Sequence, residues 1–410
     1  MAKSQRILSL LLLCVPVSGL LQAQTLREVF ADEELDSLPP RSLRVELDAT
    51  AFFRDNEYSS QLQDGYSLPG MRMSPRLCFN PLPALNIEAG ASLLFFNGAN
   101  RYPCFAYHDI GTWKGNQYQS GAHAQPWLRL EGRFKHLNVI VGNLRGGSNH
   151  QLIEPLYNAE QNLSADPEMG VQLLLHRPHV NFDLWLNWQS YQFELDSHQE
   201  AFTVGSNTRL KWQLKRQLEL YFPLQLLIQH RGGEQDTTNL GVQTLCNGSV
   251  GAGLLWKPNK TSKLDKLDAQ INAIGAYQQA GQLWTFTTGF ALHSGISTRW
   301  FSHLNLSADY LFVPHRFVSL YGNPFYSTLP YKKSTFTQDA QGAYHKNYPF
   351  ELDGLHTLHF NLGYVHTFAK HYTLGADLEV FQLNAERLHE TLFSFGIYFR
   401  VNPTFLIKQF

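Results

Sequence analysis

Four acids fall close together between two stretches of alternating residues: Glu154, Glu160, Asp166 and Glu168. They belong to 145–168, a segment rich in Gly, Asn, Ser and Pro with neither a helical nor a strand period. Carboxylates grouped on a loop can set the electric field of a passage. Cations recur on one face of several alternating stretches: Arg72 and Arg76, Arg129 and Arg133, Arg209 and Lys211. If those faces share one interior, the loop acids oppose them across it, and such arcs of charge select polar solutes. The plainer reading is that the charges neutralise one another and fill a polar interior.

The other chemical candidates are weaker. The chain has 17 histidines, and two pairs have close spacing, His176 with His179 and His356 with His359. The first pair flanks a turn. The second lies on a strand pattern, where positions three apart point to opposite faces. Neither has the helical spacing or cysteine partners of a zinc site. His293-Ser294 and Ser148-Asn149-His150 suggest a serine hydrolase. Adjacent strand residues face opposite ways, however, and no G-x-S-x-G elbow is present. Gly142, Gly146 and Gly147 precede no helix that would hold phosphate. The expectation is a chain with no catalytic constellation, no metal and no cofactor, and therefore not an enzyme.

The elements that position these residues are read from periodicity. Residues 1–23 combine a basic start, an apolar core and Leu21-Gln22-Ala23, the pattern of a secretory signal peptide. Cys14 lacks the small residue expected before a lipidated cysteine. Residues 24–41 form an acidic lead-in ending at Pro39-Pro40, read as a periplasmic tail. From 42 to 401 apolar residues recur every second position, as with Leu43, Val45 and Leu47 against Arg44, Glu46 and Asp48. This period excludes a helical fold. The stretches reverse at short polar turns (80–83, 135–136, 177–179, 215–216, 369–371) and at longer loops on the other side. They amount to about 16 strands, an even number that places both ends of the wall on one side. Asn402-Pro403 ends the pattern, leaving 402–410 as a C-terminal tail that finishes in Phe410.

Charged residues are 16% and aromatics 13%, a balance that suits strands with one face toward lipid. The formal net charge of −1 gives no reason to expect nucleic acid. Past the leader three cysteines remain, Cys78, Cys104 and Cys246, and an odd count is no disulfide framework. A single bridge between Cys104 and Cys246 is compatible with the loops. The long loop 314–353 is rich in Phe and Tyr, which suit packing on the rim or stacking on a sugar ring.

On its leader, its alternating strands from 42 to 401 and its terminal Phe410, the chain resembles a porin-like outer-membrane β-barrel of Gram-negative bacteria. The resemblance implies an all-β fold, a transmembrane antiparallel up-and-down barrel. It also implies the bacterial outer membrane as location, with outer-membrane lipid, the barrel-insertion machinery and small solutes as partners. A homo-oligomer is compatible with it. The function expected is passive passage of small hydrophilic solutes through a lumen narrowed by 145–168. The alternatives are an outer-membrane enzyme acting on lipid or lipopolysaccharide, and a non-conducting structural or docking barrel.

Overall fold

The computed structural model describes residues 25–31, 40–96, 121–193, 198–233, 236, 241–259, 261–330, 332–338 and 344–410. The leader with Cys14, and the loop carrying Cys104, lie outside them.

The two-residue period builds one antiparallel sheet. β1 (Ser42–Ser59), β2 (Asp64–Leu82), β3 (Leu85–Phe96), β4 (Gly121–Arg133), β5 (Leu137–Asn143) and β6 (Met169–Arg177) follow in order. β7 (Val180–Ser190), β8 (Ala201–Lys215), β9 (Leu218–Arg231), β10 (Gln243–Trp256), β11 (Leu264–Ala280), β12 (Thr288–Trp300) and β13 (Leu304–Val313) continue it. A small separate hairpin, β14 (Thr335–Gln338) with β15 (Tyr344–Asn347), decorates the next loop. β16 (Leu355–Phe368), β17 (Tyr372–Ala385) and β18 (Leu388–Val401) complete the wall. β1 pairs with β2 on one edge and with β18 on the other, so the sheet closes. Closure satisfies every edge, which is the condition for strands to span a bilayer.

Side chains follow the period. Phe53, Leu77, Leu130, Ile271, Phe360 and Ile397 are exposed on the outer face. Arg54, Asn86, Arg129, Asn272, Asp309 and Glu379 are buried on the inner one. That is a soluble fold turned inside out, an apolar belt around a polar lumen. Both ends of the wall and most of the short turns lie at one end, the periplasmic one; most longer connections lie at the outer end, where β1–β2 and β17–β18 nevertheless turn within four and two residues.

Three expectations change. Apolar alternation marks the first hairpin only at 42–53 and 71–79, whereas β1 and β2 run on to Ser59 and Asp64. There the period persists with polar residues on both faces, so hydrophobicity no longer marks it. Residues 402–410 are not a tail. β19 (Thr404–Gln409) pairs with Ser42–Glu46, below the part of β1 held by β18. Asn402-Pro403 interrupts the last strand without ending it, and the Leu47 N–H donates to the Pro403 carbonyl at 3.1 Å across the break. Proline removes one ladder donor and is tolerated at such an irregularity. One sheet of 17 strands therefore makes a barrel sixteen strands round, since β18 and β19 share the last position.

The third change concerns the lead-in. Its helix α1 (Thr25–Val29) is not a periplasmic tail; it sits inside the barrel, with Thr25, Leu26 and Val29 buried. The wall makes room for it with Gly363 of β16 and Gly375 of β17. A Cβ at Gly363 would collide with Thr25 Oγ1, and one at Gly375 would come 2.6 Å from a Val29 methyl. Arg400 of β18 donates to the Val29 and Ala31 carbonyls at 2.7 and 2.8 Å, closing the helix end. Gly363→Val is therefore expected to expel α1 and leave the wall intact. Trypsin should then cut after Arg27, while the folded barrel keeps its compact mobility on a cold denaturing gel. Protection of Arg27 equal to the parent's would refute the seating.

Candidate functional site

The loop between β5 and β6 closes at its base, where the Leu144 N–H donates to the Glu168 carbonyl at 2.9 Å. It then enters the lumen. Leu152, Ile153, Leu156, Leu163 and Ala165 are buried, as are Glu154 and Glu160. A tight entry turn depends on Gly147, whose φ of 62° is left-handed. Its N–H donates to Glu168 Oε1 at 2.7 Å, and a Cβ there would strike the Asn162 side chain. A four-residue helix, α2 (Gln161–Ser164), returns the chain toward the wall.

His150 fastens this turn. Its Nδ1 lies 2.7 Å from Asp183 of β7 and its Nε2 2.9 Å from Glu168, while the ring stacks on Trp185 at 3.5 Å. Burial opposes charge on the imidazole, but Glu168 and then Asp183 outweigh it and push its pKa up to about 10. Glu168 responds in the opposite sense. Burial would raise it, but His150 and the Gly147 N–H hold it below the ordinary carboxylate range.

The other end of the loop meets a cage on the wall. Arg54 of β1 gives Nε to Glu160 at 2.8 Å, one terminal nitrogen to Asp377 at 3.2 Å and the other to Glu379 at 2.5 Å. Glu160 also accepts from the Tyr66 hydroxyl at 2.5 Å and from Asn56 at 3.1 Å. Glu154 finds Arg27 of α1 at 3.1 Å. The aromatic loop after β13 joins from above, burying Phe317, Tyr321, Phe325 and Tyr326. The loops touch where Asn158 N–H donates to the Tyr321 carbonyl at 2.8 Å and Ser319 Oγ to the Pro155 carbonyl at 2.5 Å. The centre of the lumen is thus filled by α1, by 144–168 and by the aromatic loop.

The four acids expected to face six cations are divided. Arg72, Arg76, Arg129, Asp166 and Glu168 line one cavity of about 110 Å³ beside the loop. Arg72 there donates to the Asn162 carbonyl at 2.6 Å, and Asp166 lies 2.8 Å from His123. Arg76 is placed 3.6 Å from both Glu46 and Glu88, and Arg129 donates to the Asn143 and Leu144 carbonyls. Arg133 pairs with Glu131, Arg209 with Glu219, and Lys211 donates to Asn181. The partners of Glu154 and Glu160 were missed. Arg27 lies in a lead-in too short to show a period. Arg54 continues the inward parity of Arg44, Glu46, Asp48 and Thr50, which was the signal that could have found it.

Buried inside, His293 Nε2 lies 3.0 Å from Asp309, and His359 stacks on Phe381 at 4.1 Å. The neighbours Ser294 and His356 point outward instead. On the outer face, near the outer ends of the strands, Tyr310 lies 2.7 Å from His356 Nδ1. In the same cross-strand row as His356, His389 lies 3.3 Å from Asn384, and elsewhere on the outer face Ser67 Oγ donates to Asp55 at 2.5 Å. A histidine whose Nδ1–H is held by a hydroxyl oxygen can take a proton from water at Nε2, so His356 is capable of general-base chemistry.

Two outcomes test the anchors. Arg54→Met leaves three buried acids without their shared cation and is expected to cost about 3–5 kcal/mol. Lys211→Met, whose near partner is the neutral Asn181, should cost far less. The temperature at which each barrel loses compact gel mobility reports this, and equal shifts would sink the assignment. His150 has a folded pKa above its ordinary value of about 6.5, so its contribution is complete below that pH and is lost as pH rises through about 10. Fluorescence from Trp185, isolated by difference with Trp185→Phe, should titrate near pH 10 and stop doing so in His150→Gln.

Among solved structures the fold is similar to OprD from Pseudomonas aeruginosa, with 9% identity over 92% of this chain and 97% of that one and a TM-score of 0.48. OccAB3 from Acinetobacter baumannii gives 11% identity over 88% of this chain and 99% of that one, with a TM-score of 0.46. These are likenesses of barrel architecture alone. No curated protein matches the chain. A family model does match, described as Lipid A 3'-O-deacylase-type, and it takes in residues 34–410. The expectation of a chain that performs no reaction is thereby overturned: this barrel belongs to the lipid A 3'-O-deacylase-type family.

Proposed function

We propose that this barrel is an outer-membrane hydrolase that removes an ester-linked acyl chain from lipid A. The observation that carries the reading is the family match across 34–410, nearly the whole of the wall and its loops. The filled lumen favours it over passive passage. Tyr157 and Tyr321 bridge the two inward loops at the centre, and the cavity beside them holds about 110 Å³. A substrate with acyl chains also stays in the leaflet, so it meets the barrel from the side or at the outer rim.

The reaction is addition of water across an ester, giving a free fatty acid and a sugar hydroxyl. It needs a base to take the proton from water and a donor to stabilise the oxyanion. His356 is the candidate base on the membrane face, with its Nδ1 set by Tyr310 at 2.7 Å.

Purified protein incubated with lipid A in detergent micelles should yield a lipid shorter by one acyl mass, with the matching free fatty acid, by mass spectrometry. His356→Ala should reduce the rate by about 10²–10⁴-fold if it is the base. Steady conductance in planar bilayers with no acyl loss would replace this reading with a passage.

A further inference from the structure

The outer face is not uniformly apolar or uniformly convex. Cross-strand registers set its side chains in rows. One row runs Leu254, Ala269, Ile296, Ala308, Phe360. The row above it, toward the outer end, begins with Ala252 and Ile271 and passes through Ser294 to Tyr310. Four small side chains, Ala252, Ala269, Ser294 and Ala308, thus fall together on β10 to β13. They form the floor of a groove of about 600 Å³. Ile271, 65% exposed, and Ile296, 47% exposed, stand up beside them as walls.

Above the groove the chemistry changes within one further row. Phe312 is opposite His356, His356 opposite Asn384, and Asn384 opposite His389. Tyr310 links groove and row through His356, on whose ring Phe312 also stacks at 4.7 Å. In the tautomer that a base requires, Nδ1–H donates to the Tyr310 oxygen and the imidazole presents its unprotonated Nε2 outward. Hydrogen bonds to Tyr310 and between Asn384 and His389 use one ring nitrogen of each histidine, and the polar atoms left facing lipid are costly in hydrocarbon unless a polar group meets them. The row lies at the outer ends of β16 to β18, the end that a barrel spanning the outer membrane presents to the outer leaflet.

We infer that this exterior groove holds one acyl chain of an outer-leaflet glycolipid, with its ester and sugar against the row of His356, Asn384 and His389. The inference rests on the hydrolase reading and names the surface that takes the substrate. An acyl chain gains no hydrophobic energy by leaving other lipid, so the groove acts through packing contact. Selection comes from the polar row above it. The geometry suits lipid A rather than a phospholipid, because a multiply acylated headgroup can span three adjacent strands while one chain stays in the groove.

The full-length protein is tested in phosphatidylcholine nanodiscs doped with lipid A or, separately, with phosphatidylethanolamine. Native mass spectrometry counts the lipid retained after release. The parent should retain lipid A and not phosphatidylethanolamine. Ala308→Trp fills the groove and is expected to lower retention about tenfold. Val171→Trp, on the lipid-facing side of β6, should leave it unchanged and controls for bulk on the surface. Ala308 faces lipid, so its variant is expected to fold, and compact gel mobility checks this. Equal retention of phosphatidylethanolamine, or an Ala308→Trp variant that holds lipid A like the parent, would overturn the site. Acyl release measured on the same samples separates the two claims. Release by a parent whose Ala308→Trp variant is unaffected removes the groove alone, whereas groove-dependent retention without release removes the hydrolase alone.

Discussion

One guanidinium joins the parts of this barrel. Arg54 stands on the first strand and bonds to Asp377 and Glu379 on β17, to Ser394 and Tyr398 on β18, and to Glu160 on the inserted loop. It therefore crosses the seam where the sheet closes and the interface where the loop docks. Burying such a group is favourable only when every donor and every carboxylate is matched. The neighbours supply most of this: Tyr66 and Asn56 complete Glu160, Asn361 reaches Glu379, and Tyr398 reaches Asp377 Oδ1, while Asp377 Oδ2 is buried without a hydrogen-bond partner. Loop position and barrel closure are then two readings of one polar network, and neither can change alone.

The wall was legible because its physics is local. A strand with lipid on one side and polar lumen on the other must alternate, and sixteen alternating stretches gave the sixteen wall positions. What alternation cannot express was missed. Near the outer rim both faces turn polar, so the upper part of the first hairpin carried no apolar mark although Arg54 and Asn56 kept the inward parity. At Asn402-Pro403 the period stops for two residues, and nothing in the following residues says that they resume pairing with the same neighbour. The inserted loop was legible from its length and composition. Its partners were not, because which residues meet across a lumen depends on the closing register, a property of the whole circle. Gly363 and Gly375 mark the seat of α1 only once that helix is known to lie against them.

The family membership and the filled lumen change how the outer surface is understood. In a conduit the informative side chains face inward and the lipid face only anchors. Here the inward charges are largely consumed in holding loops, as with Arg27 on Glu154 and His150 between Glu168 and Asp183. The lipid face, by contrast, carries histidines and amides where apolar residues would be cheaper. On the proposed hydrolase reading, the chemistry sits on that face and the plug serves as internal bracing.

The broken last strand has a consequence for how the molecule is made. β1 is zipped along its outer half by β18 and along its periplasmic half by β19, the final strand in the chain. The first strand must therefore wait for nearly the last residues before its free edge is covered. Contacts between Arg54 and Tyr398 span 344 positions, and contacts of such separation form late. Until then the exposed edge is a liability, open to pairing with another chain. The same late event completes the pocket that receives Glu160, so a barrel that has not sealed has not seated its plug, and a sealed one is already braced.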